Sequence, residues 1–433
     1  MNLNEWLLLF LSFNLIIFGG SYKLFKLAGV EGWKSLIPIY NIVKHLDIIN
    51  RPRWWAILVF IPVINLLMIP VIWVEFIKTF NHNSKLDRVL VIITLGFYIY
   101  YVSYLSSKTK YLGKIDFSNF EKSIGSFVFA IVIATIVHNY ILQPFVIPTG
   151  SLEKTLRVGD FLLVSKFHYG ARIPSTVISF PMVHDTIPII KSRSYLNKPQ
   201  LPYIRIPGFQ EIKNNDIVVF NWPADTVRKF FVKEKGVVKP RDKKSNYVKR
   251  AIGIPGDTLE IKDGVIYLNG IENILPDRAK PLFTYLIKSN KGVSSSKLIN
   301  LEIDGFIRKF IISNLANDSY AEISKYILNI SNTKENEYLV YTYDKGIPID
   351  LVREYGLDIR EIIDNKKELN LTYDDAIKIK KSNEFDTIYR VTEKINVSNT
   401  NFFPNNKRFS WNNDQLGPLY IPKAGDKIDL NIN

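Results

Sequence analysis

The sequence predicts an α+β protein: N-terminal transmembrane helices, then a mainly antiparallel β domain that carries an inserted α/β region. Three observations point there. Long uncharged apolar runs stop near residue 150, short β-branched and aromatic runs opened by Gly-Asp or Asn-Asp take over, and residues 276–401 turn to Lys, Asn, Asp and Ser with intermittent helical periodicity. At 433 residues the chain is also long for one ordinary domain. The expected division is a membrane region over 1–123 with about three spans, an anchor helix over 124–148, a β domain over 149–275, the insertion over 276–401, and a return to the β core over 402–433.

The apolar runs are Trp6 to Tyr22, Trp54 to Ile77, Val89 to Leu105 and Ile124 to Ile147. A helix rises 1.5 Å per residue, so roughly 20 residues cross the hydrocarbon core. The second and fourth runs are long enough, and the first and third are short. Pro62, Asn65 and Pro70 interrupt the second run, and neighbouring helices must satisfy the backbone groups they free. The first run could be a cleaved signal peptide, but it lacks a basic leader and a clean small-x-small site. Trp6, Trp54, Trp55 and Trp73 suit interfacial anchors.

Lysine and arginine crowd the segment from Lys23 to Arg53 and recur at Lys108, Lys110, Lys114 and Lys122, while the loop between holds only Lys78, Lys85 and Arg88. The positive-inside rule therefore places the first and third loops in the cytoplasm and everything after residue 148 on the opposite face.

Beyond residue 150, four turns open strands: Gly159-Asp160, Asn215-Asp216, Gly256-Asp257 and Gly425-Asp426. Gly and Asn accept positive φ, and Asp ties its carboxylate to the local backbone. Asp263-Gly264, between two β-rich runs, has the signature of a type I′ hairpin. In the insertion, helical periodicity is expected near Ile299 to Ile330 and Asp350 to Leu369.

Composition excludes several chemistries. There is no cysteine, so thiol nucleophiles, disulfides and cysteine-held metals are out. The five histidines form no His-x-x-x-His pair, which argues against a zinc site or a Ser-His-Asp triad, and no cofactor is expected. The net charge of +15 could suggest nucleic acid, but much of it sits in loops between apolar runs and the rest forms no single basic stripe. No nucleic-acid partner is expected.

Two segments carry candidate chemistry. The fourth run leads into Pro148-Thr149-Gly150-Ser151, a sharp turn that would present a serine hydroxyl at the membrane surface. The same residues also make an ordinary turn after a helix. The second segment is Tyr247-Val-Lys249-Arg250-Ala-Ile-Gly253-Ile-Pro-Gly256-Asp257. An apolar strand setting disfavours the ammonium form of Lys249, and a neutral lysine is a base. Alternation sends Arg250 to the opposite face. The competing reading is a basic pair on a solvated strand.

Together these segments resemble the bacterial signal peptidase I family. The family pattern is met by Pro148-Thr149-Gly150-Ser151, Thr155-Leu156, Gly159-Asp160, Lys166-Phe-His-Tyr169-Gly170, Asn215-Asp216-Ile-Val-Val-Phe220 and the whole motif from Tyr247 to Asp257. The resemblance runs from about residue 140 to 270 and returns at Leu416 to Asp426.

It implies a mainly β catalytic domain on the outer face of the bacterial inner membrane, acting as a serine endopeptidase on the signal peptides of exported preproteins. The partners are then the preprotein and the lipid bilayer. By position, Ser151 is the nucleophile, Lys249 the general base, and the Thr149 hydroxyl with the Ser151 amide the oxyanion site. Phe145, Ile147, Leu152 and Tyr247 are candidate substrate contacts, and no metal is implied.

Leu152 and Lys154 stand where the family usually has Met and Pro, and Asn215 replaces Gly. The family's closing Gly-Asp-Asn-Arg motif is not found before Asn433. That leaves as alternatives a silent or split relative, or completion by a separate C-terminal fragment. Ser151-Leu-Glu-Lys154 also fits the Ser-x-x-Lys of penicillin-binding enzymes, but no Lys-Thr-Gly follows.

Overall fold

The computed structural model describes residues 3–225 and 236–428, except 335, 400, 403, 405 and 407. The chain forms two compact units: Met1–Pro148 with Val158–Arg250, and Thr149–Arg157 with Ala251–Asn433.

The first unit opens with seven helices: α1 (Leu3–Leu27), α2 (Tyr40–Ile48), α3 (Trp55–Phe60), α4 (Asn65–Thr79), α5 (Lys85–Ile93), α6 (Tyr98–Tyr100) and α7 (Asn119–Ile136). Capping boxes start two of them, Ser84 with Asp87 at α5 and Ser118 with Glu121 at α7. The apolar runs did not all form single continuous helices. The first, short as a run, extends through its polar flanks into the 25 residues of α1. The second is divided into α3 and α4 around Pro62 and Val63, whose φ is 71°. The third breaks at Leu95 and Gly96, with φ of 51° and 88°. Among the described residues, two helices, Asn4–Leu27 and Asn119–Ile141, are long and apolar enough to cross a membrane.

Leu24, Phe25, Leu46, Phe76 and Phe80 form the core of this helical part and are wholly buried. Several polar side chains buried among the helices are paired: Asn41 donates to Asn14 at 2.7 Å, Arg51 grips Glu75 at 2.6 Å, and Lys78 meets Glu121 at 2.8 Å. Pairing of this kind is what makes polar groups tolerable away from water.

After α7, a wider helical turn over Val137–Ile141 passes directly into β1 (Leu142–Val146). This strand pairs antiparallel with β2 (Phe161–Ser165), and β3 (Ile217–Asn221) pairs antiparallel with β4 (Asn246–Arg250).

In the second unit, β5 (Thr258–Lys262), β6 (Val265–Leu268) and β7 (Ile271–Glu272) form successive hairpins. Asp263 and Gly264, at φ of 49° and 71°, make the expected type I′ connection between β5 and β6. The chain then runs through β8 (Phe283–Lys288), α8 (Ser295–Asn300), β9 (Ile307–Ser313), α9 (Asn317–Ile323), β10 (Ile327–Lys334), β11 (Glu337–Tyr343), α10 (Ile349–Glu354), β12 (Asp358–Glu361), β13 (Lys366–Leu371), α11 (Tyr373–Ser382) and β14 (Thr387–Arg390). It returns as β15 (Leu416–Tyr420), which pairs with β5, so everything from β8 to β14 is inserted between neighbours of one sheet.

The inserted stretch has a nested order. From β9 to β12 the elements run βαββαβ, and the antiparallel sheet is ordered β10-β11-β9-β12, which is the ferredoxin-like arrangement. Around it, β8, α8, β13, α11 and β14 build a three-stranded sheet, β13-β8-β14, with the same central logic and one strand fewer. Each has its own core, Phe310, Ile312, Ile323 and Val340 in the inner one and Ile287, Leu298, Leu371 and Ile379 in the outer.

The helical periodicity expected over Ile299 to Ile330 and Asp350 to Leu369 is overturned across much of both windows. β9 and the start of β10 occupy the first, β12 and part of β13 the second. Ile307-Arg-Lys-Phe-Ile-Ile-Ser313 buries Phe310 and Ile312 on one face, a period-two pattern that the sheet selects once β11 and β12 flank it. The strand expected after Asp426 falls largely outside the described residues.

Candidate active site

The nucleophile candidate sits on a tightly wound loop of the second unit. The Glu153 amide donates to the Gly150 carbonyl at 2.9 Å, and the Thr155 and Leu156 amides both donate to Leu152 at 3.0 and 2.7 Å. Lys154 closes the turn at φ 67° and forms an ion pair with Asp304, while the Thr155 hydroxyl donates to the Arg278 carbonyl at 2.9 Å. The departure from the family's Pro at 154 thus has a consequence: proline cannot adopt that φ, and lysine supplies a tether. Thr149 and Ser151 are exposed on this loop, and Leu152 is half-buried.

The base candidate belongs to the first unit. Lys249 lies on β4, opposite Val218 of β3, with every residue of β4 partly buried. Its ammonium stands 5.9 Å from the centre of the Tyr247 ring, as expected for two residues on one face, and Tyr247 in turn packs against Trp222 at 5.4 Å. Arg250 takes the other face and donates to the Asn215 carbonyl at 2.7 Å. Phe145 lies on β1 opposite Leu162. Ile147 is buried, its amide donating to Asp160 and its carbonyl accepting from Gly159, so it pins the two arms of the turn together.

The Asp turns share one geometry. Asp216, Asp257 and Asp426 each accept a hydrogen bond from the amide three residues earlier, at 2.9, 3.0 and 2.8 Å. Asn215 does adopt positive φ, 71°, where the family has glycine. The Lys213 amide and the Tyr169 hydroxyl hold the Asp216 carboxyl below its usual range; burial, with that same bond, pushes the Tyr169 phenol up.

Sequence reasoning quoted Lys166, Tyr169 and Gly170 as part of a pattern but gave them no role. In the structure Lys166 and Tyr169 line a cavity of about 1600 Å³ in the first unit, together with Phe145, Arg172 and Lys243. Burial, aided by the Arg172 charge, pulls the Lys166 amine down to about 8. The only signal for it in the sequence is the high density of Lys and Arg between residues 166 and 244.

A stability effect follows. Between about pH 8 and 10.5 the unfolded chain keeps a proton that folded Lys166 has lost, so this group makes stability rise with pH across that window. Thermal unfolding of the wild type against Lys166→Met is expected to show a shallower rise in the variant, and identical slopes would contradict the shift.

Two family models match the chain. One, described as signal peptidase, peptidase S26, covers residues 121–298, and the other, a family of unknown function (DUF5684), covers residues 33–114. Among curated proteins, the signal peptidase I of Rickettsia massiliae is 34% identical over 145 residues, 34% of this chain and 41% of the relative. That of Rickettsia felis is 33% identical over the same length and shares. That of Rickettsia typhi is 32% identical over 149 residues, 34% of this chain and 43% of the relative. The chain therefore spans about two fifths of the length of these relatives. No solved structure matches.

Proposed function

We propose, from the premise that residues 121–298 of this chain belong to the signal peptidase I family of S26 peptidases, that the protein is a membrane-anchored serine endopeptidase removing N-terminal signal peptides from exported preproteins. The observation that carries this reading is the placement of Ser151. It stands on a wound turn a few residues beyond a strand that issues from an apolar helix long enough to cross the bilayer. A nucleophile so placed meets substrates whose signal segment is itself in the membrane.

In this mechanism the Lys249 amine accepts the Ser151 hydroxyl proton as the oxygen attacks the scissile carbonyl. The Ser151 amide and the Thr149 hydroxyl hold the tetrahedral oxyanion. Lys249 then gives the proton to the leaving amine, and afterwards activates the water that releases the acyl-enzyme. Phe145, Leu152, Tyr247 and Ile147 are the candidate contacts for the small side chains near the cut. The catalytic part faces the extracytoplasmic side of a bacterial inner membrane, with further crossings contributed by the region before α7.

The test is incubation of the detergent-solubilised chain with a purified preprotein, and N-terminal sequencing of the product. Cleavage at the signal junction that survives Ser151→Ala unchanged would refute the assignment. A second reading, a silent membrane scaffold, predicts no cleavage.

A further inference from the structure

We propose that the large cavity of the first unit is a binding site for a phosphate-bearing anion, and that its natural occupant is the headgroup of an anionic phospholipid. Eight lysines and arginines line it against two carboxylates, Glu5 and Asp242. Asp242 is engaged by the Ser175 and Thr176 hydroxyls, at 2.6 and 2.9 Å.

Several of the cations have no carboxylate of their own. Lys243, only 8% exposed, donates to the Ser179 hydroxyl at 2.6 Å, and Arg241 stacks on Tyr203 with 4.7 Å to the ring centre. Arg172 donates to the Asn221 side-chain oxygen. Among the described residues, Lys166 and Arg205 form no ion pair. Lys166, Arg172 and Lys243 are partly or fully buried, cations withdrawn from water are costly without counter-charge, and a phosphate oxygen entering the cavity would satisfy them with short charge-assisted bonds.

Position selects the source. The wall includes Glu5, in the first turn of α1, and His138 and Asn139, just past α7. The Trp6 indole N–H donates to the Gln200 carbonyl at 3.0 Å, fastening the start of α1 to the same region. The cavity is thus bounded by the ends of the two helices long enough to cross a bilayer. Helix ends of that kind, with a tryptophan beside them, lie at the level of the lipid phosphates. Basic pockets at that depth are suited to acidic headgroups.

The experiment uses the full chain in an uncharged detergent, titrated with dioctanoyl phosphatidylglycerol, with dioctanoyl phosphatidylcholine and with inorganic phosphate. Phosphatidylglycerol is expected to bind at least tenfold more tightly than phosphatidylcholine. Lys166→Gln with Arg205→Gln should weaken it by roughly a hundredfold, about tenfold for each charge-assisted contact removed. Arg205→Gln alone, at an exposed position, provides the tenfold arm if the double variant fails to fold, and Lys166→Arg should keep the affinity.

If inorganic phosphate binds as tightly as the lipid and is lost in the same variants, the site stands but takes a free anion. Equal affinity for the two lipids, or no loss in either glutamine variant, would overturn the proposal. Ser151→Ala should bind like the wild type, so the outcome is independent of the protease assignment.

Discussion

Lys249→Ala is expected to lower kcat for preprotein cleavage by about a thousandfold or more, with KM little changed, because a general base acts on the transition state and contributes little to holding the substrate. Three accompanying results make the expectation specific. Lys249→Arg should not restore the rate, since a guanidinium keeps its proton and cannot accept another. Ser151→Ala should fall equally far. The double variant should be no worse than either single one, because two groups that work as a unit cannot be lost twice. Lys249 is only partly buried, so unfolding temperature is expected to move little. If Lys249→Ala kept more than a tenth of the wild-type rate, the base would have to be sought elsewhere, and Lys166, with its amine drawn down to about 8, is the next amine to replace.

The second large effect is structural. Gly170→Ala is expected to cost about 3 kcal/mol or more, which for a marginally stable unit amounts to unfolding of the 166–210 region. Gly170 has φ of 86°, and a Cβ there would sit 2.1 Å from the Ile206 carbonyl oxygen. Gly208 faces it, and a Cβ on that residue would fall 2.5 Å from the Gly170 nitrogen and from the His168 carbonyl oxygen. Both obstacles are backbone, so no side chain can swing aside. Gly159→Ala is the control. Its φ of 93° is equally unsuited to alanine, but nothing lies within 4 Å of the new atom, so only the conformational cost of about 1 kcal/mol remains. Thermal unfolding of the two variants should therefore separate clearly, and equal losses would show that the close backbone approach is not what the Gly170 position requires.

The turns were the most legible part of the chain. Positive φ at Asn215 and across Asp263-Gly264, and carboxylates bonded to backbone amides at Asp216, Asp257 and Asp426, are local preferences of a few adjacent residues, and neighbours elsewhere in the chain had no reason to override them. The strands after the turns at Asp216, Asp257 and Gly264 were legible for the same reason, and so was α7, although residues 142–146 of the expected anchor helix form β1 instead. The insertion was not. Its helices are six to ten residues long, and short apolar stretches such as the one around Phe310 suit either period until a sheet partner is present. The second and third apolar runs are interrupted for a comparable reason. Hydropathy counts apolar residues but does not register that Val63, Leu95 and Gly96 take backbone conformations that end a helix.

Of the candidate site, the sequence names candidate residues but not their environment. The sequence by itself determined which hydroxyl and which amine stand in the peptidase motifs, where the chain turns, and where it is apolar enough for lipid, because each of these is written in consecutive residues. Only the tertiary structure decided that β5 to β7 and β15 share one sheet around an inserted ferredoxin-like pair, and that lysines and arginines scattered from Lys166 to Lys244 converge on one cavity. Those outcomes depend on contacts between residues far apart in the chain, whose energy comes from desolvation and pairing that exist only once the segments have met.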